Sequence, residues 1–240
     1  MQRCRFDRRD WRREVPSQLS AVGVIRQRRS ATSFDRNASV SKDQFLAILD
    51  QTLPRVDSAP FDAELMDPSI HLLFFVHQVE GLTPGLYFFL RNEKDAIPIR
   101  DITRSGFLWQ PIEENFPLFL LEKGNFRQQA AKVSCHQDIA GSGVFSLGMI
   151  AAFSDGLANK PYCYCQLFWE SGMIGQVLYL AAEACGVRGT GIGCFFDDAV
   201  HEILGLEDNR YQSLYHFTIG RPEEDPRLTT YPAYHHLKNR

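Results

Sequence analysis

The sequence predicts an α+β fold, with a mostly antiparallel central sheet flanked by helices and an extended C-terminal arm. Three observations carry this. The elements run helices, hairpin, helices and a late strand, without the regular βαβ alternation of a doubly wound fold. The first two strand candidates are separated by the turn signal Thr83-Pro84-Gly85, as in a hairpin with a longer loop. No shift in composition marks an internal boundary, so the reading is a basic arm over 1–16 and a single domain over 17–240.

Each element has its own signal. Leu19, Val22 and Ile25 recur at three-residue steps, which predicts a short amphipathic helix over 17–28. Ser41 to Gln44 is a capping box, followed by Phe45, Ile48 and Leu49 on one face, so 41–53 reads as a helix. Residues 54–69, rich in Pro and Asp, read as loop. Ile70 to Val79 and Leu86 to Leu90 are apolar, partly aromatic strands. Pro98, Pro111 and Pro117 break residues 91–125, within which 116–121 is a strand candidate. Residues 126–139 read as one helix, ended by Gly141-Ser142-Gly143. Residues 144–153 are apolar throughout and fit either a strand or a buried helix. The stripe Met173, Ile174, Val177, Leu178, Ala181 and Cys185 predicts a helix over 169–185, with Gly186 as its C′ residue. Gly189 to Gly193 reads as a loop. Asp197 or Asp198 would cap a helix ending at Gly205, and 214–219 reads as the last strand before a proline-rich tail.

Composition narrows the function classes. The 240 residues are 44% hydrophobic and 23% charged with a formal net charge of −3, enough apolar material for a sizeable core. No apolar run approaches the ~18 residues of a membrane helix. Disorder, collagen and small disulfide scaffolds are excluded, and a strongly basic nucleic-acid binder is disfavoured. The charge is uneven. Residues 1–36 carry ten arginines against four acids, whereas 37–240 carry sixteen basic and twenty-five acidic groups. Arg3 to Arg13 read as a solvated arm. Nothing apolar follows these basic residues as a secretory signal would require, so a cytoplasmic protein with six reduced cysteines is expected. No cysteine or histidine spacing suggests a metal site.

Three places could carry chemistry. Arg28-Arg29-Ser30 puts two guanidinia and a hydroxyl at a helix end, where they either hold a phosphate or form an ordinary surface pair. The run Gly189 to Cys194 lets a backbone approach a ring or phosphate, or is a plain connection; it lacks the lysine and spacing of a P-loop. Arg221, after Gly220, either completes a phosphate pocket or is a surface arginine. No Ser-His-Asp arrangement occurs, and Cys135-His136 reads as structural.

Taken in order, these segments resemble the FMN-dependent nitroreductase family. The nearest likeness is to its azoline (thiazoline and oxazoline) dehydrogenase branch. The resemblance rests on Arg28-Arg29-Ser30 before Phe34, Pro84-Gly85-Leu86-Tyr87, and Cys135-His136-Gln137. It continues through Glu170-x-Gly172 to Tyr179-Leu180, Gly191-Ile192-Gly193-Cys194-Phe195, and Asp225-Pro226-Arg227 to Pro232. It implies a homodimer with FMN at the interface and hydride transfer through the flavin, with NAD(P)H as candidate reductant and a small molecule or modified peptide as substrate. It implies that Arg28 and Ser30, with Arg29 beside them, meet the phosphate and ribityl region. Ile192, Gly193 and Cys194 would line the ring edge, and Arg221 would approach the phosphate. Lys160 and Tyr162 loosely echo the branch's catalytic Lys-Tyr pair. The sequence departs from the family at Thr32, where a second basic residue is common, and over 61–68, which lacks the branch's small-residue stretch. These departures motivate the alternative of a flavin-site-degraded, non-catalytic paralogue used for dimerisation or peptide binding.

Overall fold

Strands buried on both faces make the centre of the protein. The computed structural model describes residues 13–15, 17–55, 58–63, 67–154, 157 and 160–237. Among these, seven strands form one sheet in the order β5 (Gln110–Glu113), β6 (Phe116–Lys123), β4 (Gly85–Phe89), β2 (Ile70–Val76), β7 (Phe145–Ala152), β9 (Tyr211–Gly220) and β8 (Arg188–Ile192). Every neighbouring pair in it is antiparallel. Two short strands, β1 (Val40–Ser41) and β3 (Val79–Glu80), pair in parallel beside it. The α+β reading is therefore correct.

The pleat sends alternate residues of the central strands into two separate cores. Leu72, Phe74 and Val76 of β2, with Phe145, Leu147 and Met149 of β7, pack with helices α2 (Lys42–Asp50) and α6 (Cys163–Ala184). Leu73, Phe75 and Ile150 face the other side. There they meet α3 (Ala96–Ile102), α4 (Arg127–Val133), α5 (Asp138–Ser142) and α7 (Asp197–Leu204). Burial on both faces explains why 144–153 shows no alternation in the sequence, and the structure resolves that ambiguity as strand β7.

The start of α2 follows the sequence reading: Ser41 Oγ accepts from Gln44 N–H at 3.1 Å, and Gln44 Oε1 accepts from Ser41 N–H at 3.0 Å. Gly205 ends α7 in the left-handed region at φ 74°, where glycine has no Cβ to clash.

Several expectations are corrected. The single helix over 126–139 is two, because Cys135 and His136 take φ values of 60° and 57° and break the ladder after Val133. The helix expected over 169–185 begins at Cys163. Its first turns expose Tyr164, Phe168 and Trp169, so they lack the one-sided apolar stripe that marks the rest. The strand expected over 70–79 stops at Val76. Residues 189–193, read as a loop, lie within or beside strand β8. No side chain caps α7; Asp197 and Asp198 sit in its first turn, where acids suit the positive end of the helix dipole.

Cys135 and Cys194, expected as reduced thiols, are joined as a disulfide, whereas Cys163, Cys165 and Cys185 are free. Residues 1–12 and 16 of the expected basic arm lie outside the described residues. Arg13 is not solvated in the expected way. Its backbone N–H donates to Asp50 Oδ2 at 3.1 Å, its guanidinium pairs with Glu113, and its Cζ lies 5.4 Å from the Phe116 ring centroid.

Candidate functional site

Helix α1 (Ala21–Gln27) ends at Arg28, and the chain then runs over the edge formed by β8 and β9. Three backbone links fix that path. Ala31 N–H donates to Gly189 O at 3.3 Å, Asp35 N–H donates to Arg221 O at 3.0 Å, and Phe34 bridges Pro222. The Thr190 hydroxyl adds a bond to Ala31 O at 2.7 Å. The three segments singled out in the sequence thus converge at one sheet edge, although up to 193 positions separate Arg28 from Arg221 in the chain.

At the centre stands Tyr179 of α6. Its hydroxyl accepts from Gly191 N–H at 2.8 Å and lies 2.8 Å from Ser30 Oγ. Accepting from Gly191 leaves the phenolic hydrogen available for Ser30. Arg28 places its guanidinium over the same ring, Cζ to centroid 4.7 Å, a cation–π contact. Phe217 of β9 supports the ring from beneath, edge-on at 4.7 Å. One side chain therefore registers the Arg28–Ser30 segment against β8. The sequence places Tyr179 in the helix motif but offers no cue to this role, because the contact depends on how distant segments meet.

Glycine is required on β8. A Cβ on Gly191 would lie 1.8 Å from Tyr215 Oη, and one on Gly189 would lie 2.5 Å from Phe217 Cε1. Rings from β9 cover the strand where side chains would stand. At Gly193 the opposite holds: an added Cβ would meet no atom within 4 Å, so the outer side of this turn is open. Ile192 is buried and anchors the turn, whereas Gly193 and Cys194 are exposed. The Cys194 carbonyl accepts from Gln137 Nε2 at 3.4 Å, and its sulfur is bound to Cys135. Behind the turn, Phe195 stacks on His216 at 4.8 Å and 9°. The His216 ring nitrogens lie within hydrogen-bond range of the Ser134 and Ser213 hydroxyls, and burial lowers its pKa to about 4, so it is neutral there at pH 7.

The other candidates separate into groups. Arg28 and Arg221 have no carboxylate partner among the described residues, and Arg221 is exposed. Arg29 instead donates to the carbonyls of Arg26, Arg28 and Tyr231, which ties the C-terminal arm to α1. Lys160 and Tyr162 are exposed before the first turn of α6. Tyr179 lies about 25 Å further along the helix at 1.5 Å per residue, so these two are not brought to the Arg28–Tyr179–Gly191 cluster within one chain. Glu170 forms a buried ion pair with Arg91 and accepts from Ser69 N–H at 2.9 Å, which gives it a structural place. Among the described residues there is no group of three or more side chains suited to a metal ion. No described helix is long and apolar enough to cross a membrane.

This arrangement of sheet, helices and converging segments is a nitroreductase-like fold. The nitroreductase family model matches residues 127–221, from the start of α4 to just past β9. Among solved structures, the Anabaena variabilis protein described as a nitroreductase is similar over 82% of this chain, with 24% identity and a TM-score of 0.62; the chain spans 37% of that protein's length. The NADPH:FMN oxidoreductase from Vibrio harveyi, solved with NAD+, is similar over 90% of this chain and 75% of its own, with 14% identity and a TM-score of 0.54. The Escherichia coli microcin synthetase McbBCD complex, solved with truncated pro-MccB17, contains a chain similar over 90% of this one and 77% of its own, with 18% identity and a TM-score of 0.56. No curated protein sequence matches the chain.

Proposed function

We propose that this protein is an FMN-dependent oxidoreductase acting as a homodimer. The observation that carries the reading is the meeting of Arg28, Ser30, Tyr179 and Gly191 at one sheet edge, beside the open turn at Gly193. The residues fit the cofactor. FMN has a dianionic phosphate, a polar ribityl chain and a planar ring, and this edge offers the guanidinia of Arg28 and Arg221, neither ion-paired among the described residues, a hydroxyl and an unobstructed glycine. When bound, FMN supplies two-electron hydride chemistry.

The chain's own residues then have distinct tasks. Arg28 and Arg221 bind the phosphate by charge-assisted hydrogen bonds, and Ser30 binds beside it. Arg29 holds the arm in place through its carbonyl contacts. The backbone of Ile192, Gly193 and Cys194 lines the ring edge, and the stack of Phe195 on His216 keeps that turn from shifting. NAD(P)H is the proposed reductant. An azoline ring in a modified peptide is the proposed substrate of the more specialised reading, which the likeness to a microcin synthetase chain favours. In that reading Lys160 and Tyr162 move the proton and must reach the ring from the partner subunit.

The test is anaerobic mixing of FMN-loaded protein with NADH or NADPH while the flavin absorbance is followed. Bleaching by either reductant supports the proposal. FMN that binds but is reduced by neither, nor by an azoline peptide, supports the non-catalytic paralogue. Arg28→Gln should weaken FMN binding about 10- to 100-fold, the equivalent of one charge-assisted hydrogen bond.

A further inference from the structure

A second cationic cluster shares no lining residue with Arg28, Ser30 and Arg221. A cleft of about 710 Å³ opens between α4, α5 and the segment after Phe34. Arg36, Arg127, Lys132 and His136 line it, with Gln128 and the single acid Asp138. The size suits a small-molecule ligand.

The charges here are not spent on each other or on neighbouring acids. Arg127 donates through Nη2 to Gln78 Oε1 and through Nη1 to the Gly141 carbonyl, both neutral acceptors. Arg36 donates through Nε to Ser142 Oγ at 3.0 Å, and among the described residues its two Nη groups have no partner. Among the same residues none of Arg36, Arg127 and Lys132 lies within 4 Å of a carboxylate oxygen. Burial, and then the nearness of Arg36, lower the pKa of Arg127, as for two guanidinia facing one space. The surroundings make this notable, since residues 37–240 carry nine more acids than bases. Three cations that line one cleft with a single acid, none of them ion-paired among the described residues, suit a multiply charged oxyanion, whose tetrahedral oxygens match the guanidinium fork.

We propose that this cleft binds the phosphoryl group of a small phosphorylated ligand, at a site separate from the flavin edge. Arg127, held by Gln78 and Gly141, is the fixed floor of the site. Arg36 and Lys132 close over the ligand from either side, and His136 adds a donor at the rim.

The experiment is calorimetric titration of the flavin-free protein with inorganic pyrophosphate, repeated in the presence of saturating FMN. Arg36→Gln and Lys132→Gln are the informative variants, because both residues are exposed and the bond from Arg36 Nε to Ser142 Oγ is the one side-chain hydrogen bond they make among the described residues. Arg127 is left intact for its structural bonds. The proposal predicts binding in both conditions, weakened at least tenfold by each variant. Absence of binding to the unaltered protein would overturn it. So would binding that survives Arg36→Gln but is lost in Arg28→Gln, or that FMN displaces, since the anion would then occupy the flavin's own phosphate seat.

Discussion

At the residue scale, Tyr179 does most to define the site. Tyr179→Phe keeps the ring beneath Arg28 and against Phe217 but leaves Gly191 N–H and Ser30 without their shared partner. Urea unfolding should show a loss of about 1–3 kcal/mol, the cost of an unsatisfied donor, with FMN affinity falling in parallel. Unchanged stability and affinity would remove Tyr179 from the account. His77 and His216 are both buried, and burial lowers each pKa from 6.5 to about 4. The unfolded chain therefore takes up protons between these values while the folded chain does not. Their contribution is complete above pH 6.5 and declines as the pH falls toward 4, by up to about 3 kcal/mol for each histidine. Unfolding free energy measured against pH should fall with a slope approaching two protons per molecule in that window. A slope near one proton would mean that one ring is hydrated, and a flat profile that both are. The arginine and serine candidates were legible because Arg28, Arg29 and Ser30 are contiguous. Tyr179 was not, because its partners lie at positions 28, 30 and 191.

At the element scale, local signals were readable in two helices: the capping box gives the start of α2, and the one-sided apolar stripe gives most of α6. The signal fails where a strand is covered on both faces, as β7 is, or where glycine replaces the apolar alternation, as in β8. It also fails at residues 134–137, where two consecutive left-handed residues divide a helix without a glycine or proline. That break sets Cys135 opposite Cys194, with their Cα atoms 5.6 Å apart, and joins the end of α4 to the turn after β8. Peptide mapping without reduction should recover the Cys135 and Cys194 peptides cross-linked. Recovery of both as free, alkylated thiols would contradict the link. With the two positions 59 apart in sequence, Cys194→Ser should cost about 4 kcal/mol on loop-closure grounds.

At the scale of the whole molecule, the order of elements was enough to reach the α+β class, and a nitroreductase-like fold is what the structure shows. The association state was not legible, because an apolar helix face reads the same whether it packs on its own chain or on another. Here the face is open. Val22 and Ile25 of α1 are 56% and 60% exposed, and Trp169 of α6 is 55% exposed. A groove of about 590 Å³ between the two helices is lined by Leu19, Ile25, Met173, Val177 and Leu180. A second copy covering this face is the proposed dimer, and large contiguous apolar surface is what such contacts bury. Sedimentation should give a dimer for the unaltered protein and a monomer for Ile25→Asp combined with Trp169→Asp. A monomeric unaltered protein would contradict the arrangement.

The central claim is that the edge formed by Arg28, Ser30, Tyr179 and the turn at Gly193 holds FMN. The most direct measurement is the absorption spectrum of the protein after incubation with FMN and removal of the unbound cofactor, with the released compound identified by mass. The account predicts a yellow protein retaining one FMN per chain. A colourless protein that takes up no flavin under these conditions would contradict it.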